Sequence, residues 1–379
     1  MVKRAAILVV LGLVTAALLL SGAAYTKAQT TPVWAQIDLG LPATTTLTGV
    51  FMVDGANGAW VVGADGNTGL ALRMQRQGGS WTVQSRAVFR APLRAVAVIG
   101  DDNVWAVGDA GLIVHRDSNG WHEVANPAPT GDLTTIQMFG QGAEGWAGGS
   151  IIPPRNDEPL QGLLLHYQYG VWQRVPPPQG YNVIQSLHFA GGGGWAVGSL
   201  PAPDASIARY EGGAWITESG HTCPQGYMCD PLLNAVRAIT HDEAWAVGYS
   251  SPGHGYRIHW MLMLHRLNGQ WQEGIPGGTL VDDPINNARK ESWLSGLSFS
   301  SAMNGLAVGV QKLDLFAPMH PLILSYQADG RWHYESVPYM VGGLNAVSHA
   351  DATHALAVGT NGVILGYGYG GPAPAPWPT

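Results

Sequence analysis

One pentapeptide recurs along this chain, and its spacing constrains the fold more than any other feature. The copies are Ala59-Trp60-Val61-Val62-Gly63, Val104-Trp105-Ala106-Val107-Gly108, Gly145-Trp146-Ala147-Gly148-Gly149, Gly194-Trp195-Ala196-Val197-Gly198, Ala244-Trp245-Ala246-Val247-Gly248, Gly305-Leu306-Ala307-Val308-Gly309 and Ala355-Leu356-Ala357-Val358-Gly359. From Trp60 to Leu356 the intervals are 45, 41, 49, 50, 61 and 50 residues. Periods of about 40 to 50 residues point to β-propellers, with one four-stranded blade per unit. Seven copies make seven blades.

Within a unit the strands follow a fixed order. The first is an apolar run such as Leu93-Arg94-Ala95-Val96 or Leu344-Asn345-Ala346-Val347, and the second carries the pentapeptide. The third reads like Leu112-Ile113-Val114-His115, and the fourth follows a Gly turn into Trp, as in Gly120-Trp121 or Gly269-Gln270-Trp271. Strand alternation puts Trp105 and Val107 on one face and Ala106 and Gly108 on the other. A bulky face on one blade can then stack on the small face of the next. The last unit lacks a Gly-x-Trp strand, whereas Pro32-Val33-Trp34-Ala35-Gln36-Ile37 is a Trp strand with no unit of its own. The expectation is an all-β, seven-bladed β-propeller of four-stranded antiparallel blades, its last blade completed by the N-terminal strand. Such closure pairs strand edges that an open array would expose.

Composition agrees. The 379 residues include 52 Gly and 15 Trp but only 12% charged residues, about half the usual share. Twelve of the Trp fall on repeat positions, leaving Trp260, Trp293 and Trp377 outside the repeat. A net charge of −7 argues against nucleic acid, whose binding needs a basic footprint.

The series of a Leu-x-Ala-Val strand, a Gly-Trp-Ala-Val-Gly strand, Gly-x-Ile and Gly-x-Trp resembles the photosystem II stability/assembly factor family of propellers. It is also similar to the surrounding Asp-box, or bacterial neuraminidase repeat, superfamily. The best single copy spans Val104 to Val124, where Asp109-Ala110-Gly111-Leu112-Ile113 precedes Asp117-Ser118-Asn119-Gly120-Trp121. The resemblance covers residues 32–366 and implies the propeller fold and a binding or assembly role. The family's Asp-x-Gly-x-Thr-Trp turn is degenerate, since Thr precedes none of the repeat Trp residues.

Residues 1–28 read as a secretory signal peptide: Lys3-Arg4, an apolar run from Ala5 to Leu20, then small residues at Ser21-Gly22-Ala23-Ala24. The rival is an uncleaved anchor, because about 20 apolar residues can span a bilayer. Either way the propeller is expected outside the cytoplasm, secreted, periplasmic or at the cell surface, and touching a membrane only through an uncleaved leader. Cys223 and Cys229, an even pair on an exported chain, are expected to form a disulfide closing a small loop, with a metal or redox pair as the rival reading. Residues 367–379 form a Gly- and Pro-rich tail.

For function, the loops carry the signal. The connections from second to third strand and from fourth strand to the next blade are long in blades three to six, and both classes emerge on one face. Loops on a rigid scaffold are where binding concentrates. The candidate binding residues are Arg155, Tyr256, Arg257, Trp260, Arg289, Lys290, Trp293 and Lys312, a mixture typical of protein-binding hot spots. A protein or peptide partner is expected, with a glycan as the alternative. His115, His166 and His265 recur at one third-strand position but belong to separate blades. No cofactor, metal or catalytic residue is therefore assigned. The leading reading is a non-enzymatic interaction scaffold; the alternative is a carbohydrate-active enzyme or lectin, which as a glycosidase would need two carboxylates facing one pocket.

Overall fold

The computed structural model describes residues 33–153, 155, 158–199, 206–220, 231–251, 259–275, 291–312 and 317–370. The leader, the Cys223–Cys229 pair and the tail from 371 lie outside them. The first blade comprises β2 (Thr45–Val53), β3 (Gly58–Asp65), β4 (Thr68–Gln77) and β5 (Ser80–Phe89). The second holds β6 (Leu93–Gly100), β7 (Asn103–Gly108), β8 (Ile113–Asp117) and β9 (Gly120–Glu123). The third holds β10 (Gly131–Phe139), β11 (Glu144–Ile151), β12 (Gln161–Gln168) and β13 (Val171–Val175). The fourth runs through β14 (Val183–Ala190), β15 (Gly193–Ser199), β16 (Ser206–Glu211) and β17 (Ala214–Ser219). In the fifth these are β18 (Leu232–Ala238), β19 (Ala244–Ser250), β20 (Trp260–Leu267) and β21 (Gln270–Glu273). The sixth is β22 (Glu291–Ser301), β23 (Asn304–Lys312), β24 (His320–Tyr326) and β25 (Trp332–Tyr334). The seventh joins β26 (Leu344–His349), β27 (Ala355–Gly359) and β28 (Ile364–Tyr367) to β1 (Trp34–Gln36).

Every pairing within a blade is antiparallel, and β1 pairs with β28 in the register Trp34↔Tyr367, Ala35↔Gly366 and Gln36↔Leu365. First strands lie side by side around the ring, with β26 against β2 at the closure. This is the seven-bladed propeller expected from the repeat, closed by chain from both ends.

The expected stacking of large on small is present. Trp105 and Val107 pack into one core with Leu133 and Ile136 of the third blade, while Ala106 packs with Val62 and Ala71 of the first. A further regularity appears in the fourth-strand Trp. Each of five pentapeptide Trp rings meets the fourth-strand Trp of the next blade edge-on: Trp60–Trp121, Trp105–Trp172, Trp146–Trp215, Trp195–Trp271 and Trp245–Trp332, with centroids 5.3–6.2 Å apart. At the last two junctions the pentapeptide carries Leu. Leu306 packs with Trp34 and Leu356 with Trp81. There Tyr369 supplies the missing ring, set edge-on to Trp81 at 5.2 Å, and its hydroxyl donates to the Ala56 carbonyl at 2.8 Å. Packing thus continues to Tyr369, past residue 366.

The closing Gly of the pentapeptide has a steric origin. All seven first strands bulge at the same place: Thr48, Arg94, Thr134, Gln185, Asn234, Ser295 and Asn345 are each skipped by the ladder. The bulge brings a carbonyl of the first strand against the second. A β-carbon on Gly63, Gly108, Gly149, Gly198, Gly248, Gly309 or Gly359 would collide with that oxygen, which at Gly108 belongs to Pro92 and at Gly248 to Leu232. The bulged side chains are all polar, and four of them staple adjacent blades. Thr48 Oγ1 donates to the Leu93 carbonyl at 2.8 Å and Thr134 Oγ1 to Ile184 at 2.5 Å. Asn234 Nδ2 donates to Leu294 and Asn345 Nδ2 to Leu47, both at 2.8 Å, the last across the closure.

Three variants test this packing in urea or thermal melts. Trp105→Ala, which empties a site 3% exposed, should cost about 3–5 kcal/mol. Gly108→Ala should cost about 3 kcal/mol by forcing the bulge apart. Gly100→Ala, where nothing lies within 4 Å of the new methyl, should stay within about 0.5 kcal/mol. Equal effects at Gly108 and Gly100 would contradict the bulge collision.

Candidate functional site

Antiparallel blades put the connections β11–β12, β15–β16, β17–β18, β19–β20, β21–β22 and β23–β24 on one face, the loop face. Of the residues singled out in sequence, Tyr256, Arg257, Arg289 and Lys290 lie outside the described residues. Arg155 sits exposed on the β11–β12 connection of the third blade, 3.9 Å from Glu158. Trp260, Trp293 and Lys312 occupy strand ends instead of loops, because β20, β22 and β23 extend to include them.

The last three do not share one role. Lys312 Nζ lies 3.1 Å from Glu291 Oε2, and His259 Nδ1 lies 2.8 Å from Glu291 Oε1. Both oxygens of a carboxylate only 5% exposed are thus engaged, so the Lys312 charge is committed inside the blade five–six junction. Trp293, half-buried, meets His259 edge-on at 5.8 Å, and Tyr249 meets the same imidazole at 4.6 Å. Trp260, by contrast, is 48% exposed. It belongs to a set of open apolar side chains on the loop face that includes Ile152, Leu160, Met319, Tyr339 and Val341. Ile152, Leu160, Tyr339 and Val341 carry no mark in the sequence, since an isolated apolar residue in a loop has no periodic signal.

The three third-strand His residues each stack on the pentapeptide Trp directly opposite in the ladder. The centroids are 4.1 Å apart for His115–Trp105, 4.2 Å for His166–Trp146 and 3.8 Å for His265–Trp245. In the same slot Arg73 lies over Trp60 and Arg209 over Trp195. The position is a lid over the Trp, filled by any flat, polar-tipped side chain.

A second candidate site is the central channel, a cavity of about 600 Å³ lined by all seven first strands. These strands present an unpaired backbone edge, and neighbouring blades satisfy part of it with side chains. Gln137 Oε1 accepts the N–H of Phe189 at 2.8 Å, and His188 Nδ1 accepts that of Ala238 at 3.2 Å. Ser298 Oγ and Ser348 Oγ accept the N–H groups of His349 and Met52, both at 3.1 Å. Among the described residues the lining holds Arg94, Arg237, His188 and His349 but no Asp or Glu, although the chain carries 26 acidic residues against 19 basic. Near the loop face Arg94 is neutralised by a fork onto Asp109, at 2.7 and 2.6 Å, which holds its pKa above the usual arginine value. Deeper in, burial lowers the Arg237 pKa to about 10, leaving it charged at neutral pH. Burial, reinforced by the Arg237 charge, holds His188 well below the usual imidazole range and brings His349 down to about 4. The sequence reading missed this group. The aligned first strands held the clue, for charge appears at a slot filled elsewhere by Phe51, Ala97 or Ser298.

No family model matches the chain, and no curated protein sequence does. Solved structures match its fold. A structure described as YCF48 bound to D1 peptide superposes with a TM-score of 0.58 at 16% identity, covering 90% of this chain and 99% of that one. YCF48 from Cyanidioschyzon merolae gives 0.56 at 15% identity, covering 88% and 98%. A streptogramin B lyase gives 0.56 at 12% identity, covering 90% and 98%. At such identities the likeness establishes the architecture alone, which YCF48 and a streptogramin B lyase share.

The channel histidines make stability depend on pH. An unfolded His349 takes a proton as pH falls through 6.5, whereas the folded one resists until about 4. Stability should therefore fall across that window, by roughly 3 kcal/mol from this residue alone at its lower end. His188 acts in the same direction. Urea midpoints measured from pH 7 to 4 should decline, and His349→Gln should flatten the decline; a superimposable profile would contradict the assignment.

Proposed function

We propose that this propeller is a non-enzymatic interaction scaffold, exported from the cytoplasm, that binds a protein or peptide on its loop face. The observation that carries the reading is the set of six open apolar side chains on that face, led by Trp260. They stand on the β11–β12, β23–β24 and β25–β26 connections and, for Trp260, at the start of β20, beside polar and charged neighbours such as Arg155. Apolar anchors rimmed by polar groups are the usual composition of a binding patch. Two further points support it. The repeat resembles the photosystem II stability/assembly factor family, and YCF48, of like fold, has been solved with a peptide bound. The enzymatic alternative draws no support from the channel, whose described lining has no carboxylate pair for glycoside hydrolysis.

Export rests on the leader of residues 1–28, and the loop between Cys223 and Cys229 would be disulfide-closed in that compartment. Partner capture by the chain in its native host, read by crosslinking and mass spectrometry, tests the proposal. Trp260→Ala combined with Arg257→Ala should lower recovery of the captured protein at least about tenfold, the scale of one hot-spot residue. The melting temperature should hold, because Trp260 is half-exposed. Undiminished recovery would remove the loop face from consideration.

A further inference from the structure

Arg237 is the residue that neither the packing nor the loop-face reading explains. It occupies the fifth position of the first-strand register in blade five, counting from Leu233, directly opposite Trp245 in the ladder. At the same position Gln137, His188, Ser298 and Ser348 each accept a backbone N–H from the next blade. A guanidinium has five donors and no acceptor, so Arg237 cannot do that work. Nor is it an ion-pair member: among the described residues it makes no salt bridge and no hydrogen bond. It is half-buried and enclosed within the channel wall. Leaving a guanidinium without a counter-charge in such a place is costly, and the other channel arginine, Arg94, has its own carboxylate.

The surroundings are equally one-sided. His188 of blade four receives the Ala238 N–H on Nδ1, so its neutral ring carries the proton on Nε2 as a donor without a partner among the described residues. His349 of blade seven lies within the field of Arg237, its Nδ1 tied to Ser298 Oγ at 3.0 Å. The one acidic group acting on His349 is Asp351, which is exposed at the rim and already holds Thr353 and His354. The channel thus offers a charged fork and an N–H donor, with no carboxylate among its described lining residues, in a cavity of about 600 Å³. That volume admits a small molecule and its water.

We propose that the central channel is a binding site for a small oxyanion, seated on the Arg237 guanidinium with His188 Nε2–H as second donor. Inorganic phosphate, sulfate and short dicarboxylates share the chemistry it selects, two or more terminal oxygens that match the planar fork. The site is separate from the loop-face patch, so partner capture and anion binding can fail independently.

The test titrates the full chain with inorganic phosphate, sulfate and succinate, with chloride adjusted to constant ionic strength, using calorimetry and melting temperature. At least one should bind saturably and raise the melting temperature, and comparison of the three distinguishes a tetrahedral from a planar oxyanion. Arg237→Gln should weaken binding at least about tenfold, while Arg237→Lys, which keeps the charge and loses the fork, should fall between. A second reading needs no variant. In the wild-type chain the bound anion should raise the titration of His349 from about 4 and shift the ring signals of His188. Absence of saturable binding by all three anions overturns the proposal, and so does undiminished binding by Arg237→Gln. Should that variant fail to fold, wild-type histidine signals that ignore phosphate overturn it as well.

Discussion

The contact on which the rest of this structure depends is a tryptophan from one blade set edge-on against a tryptophan from the next. A single four-stranded blade has two wet faces and no core of its own, so its stability comes from its neighbours. The pentapeptide Trp stands on the bulky face of each blade, and the fourth-strand Trp of the following blade covers its outer flank. Burying such rings contributes several kcal/mol each, and the edge-on geometry about 0.5–1.5 kcal/mol more. The small residues between, Ala106 and its equivalents, let the next sheet approach closely enough for these contacts to form.

Geometry at the inner end of each blade completes the ring. The bulge in every first strand carries a polar residue, which at four positions bonds an adjacent blade, and sets a carbonyl against the second strand. One irregularity therefore explains both the polar residue after the leading Leu or Ile and the obligatory Gly of the pentapeptide. Closure uses the same means with different residues. Leu replaces Trp at positions 306 and 356: Leu306 packs with Trp34 of the N-terminal strand, and beside Leu356 the missing ring is supplied by Tyr369, edge-on to Trp81. Ordering both ends of the propeller chain is thus part of closing it.

Such a ring exposes two chemically different surfaces. On the loop face, connections of irregular length carry open apolar side chains, with Lys312 and His259 spent on buried Glu291. In the channel, backbone edges are answered by neighbouring side chains, and Arg237 is left with a charge that no described group balances. A rigid frame with variable edges is how one architecture serves unrelated activities.

Blade number, strand order and three-plus-one closure were legible in the sequence, because a packing unit repeated at fixed spacing has only one regular way to bury its Trp and Ala faces. So was the structural role of Trp105 or Trp195, each at a repeat position. The partners were not legible. That Trp105 meets Trp172, that Tyr369 covers Trp81, and that Lys312 is bound to Glu291 depend on which side chains meet across blades and strands, separations that periodicity does not encode. The bulges were hidden too, visible only as a polar residue after the leading Leu or Ile. Local pattern determined each blade, since strand alternation and turn chemistry act over a few residues. The sites were decided by the ring, since only its curvature brings His188, Arg237 and His349 from three blades to one channel.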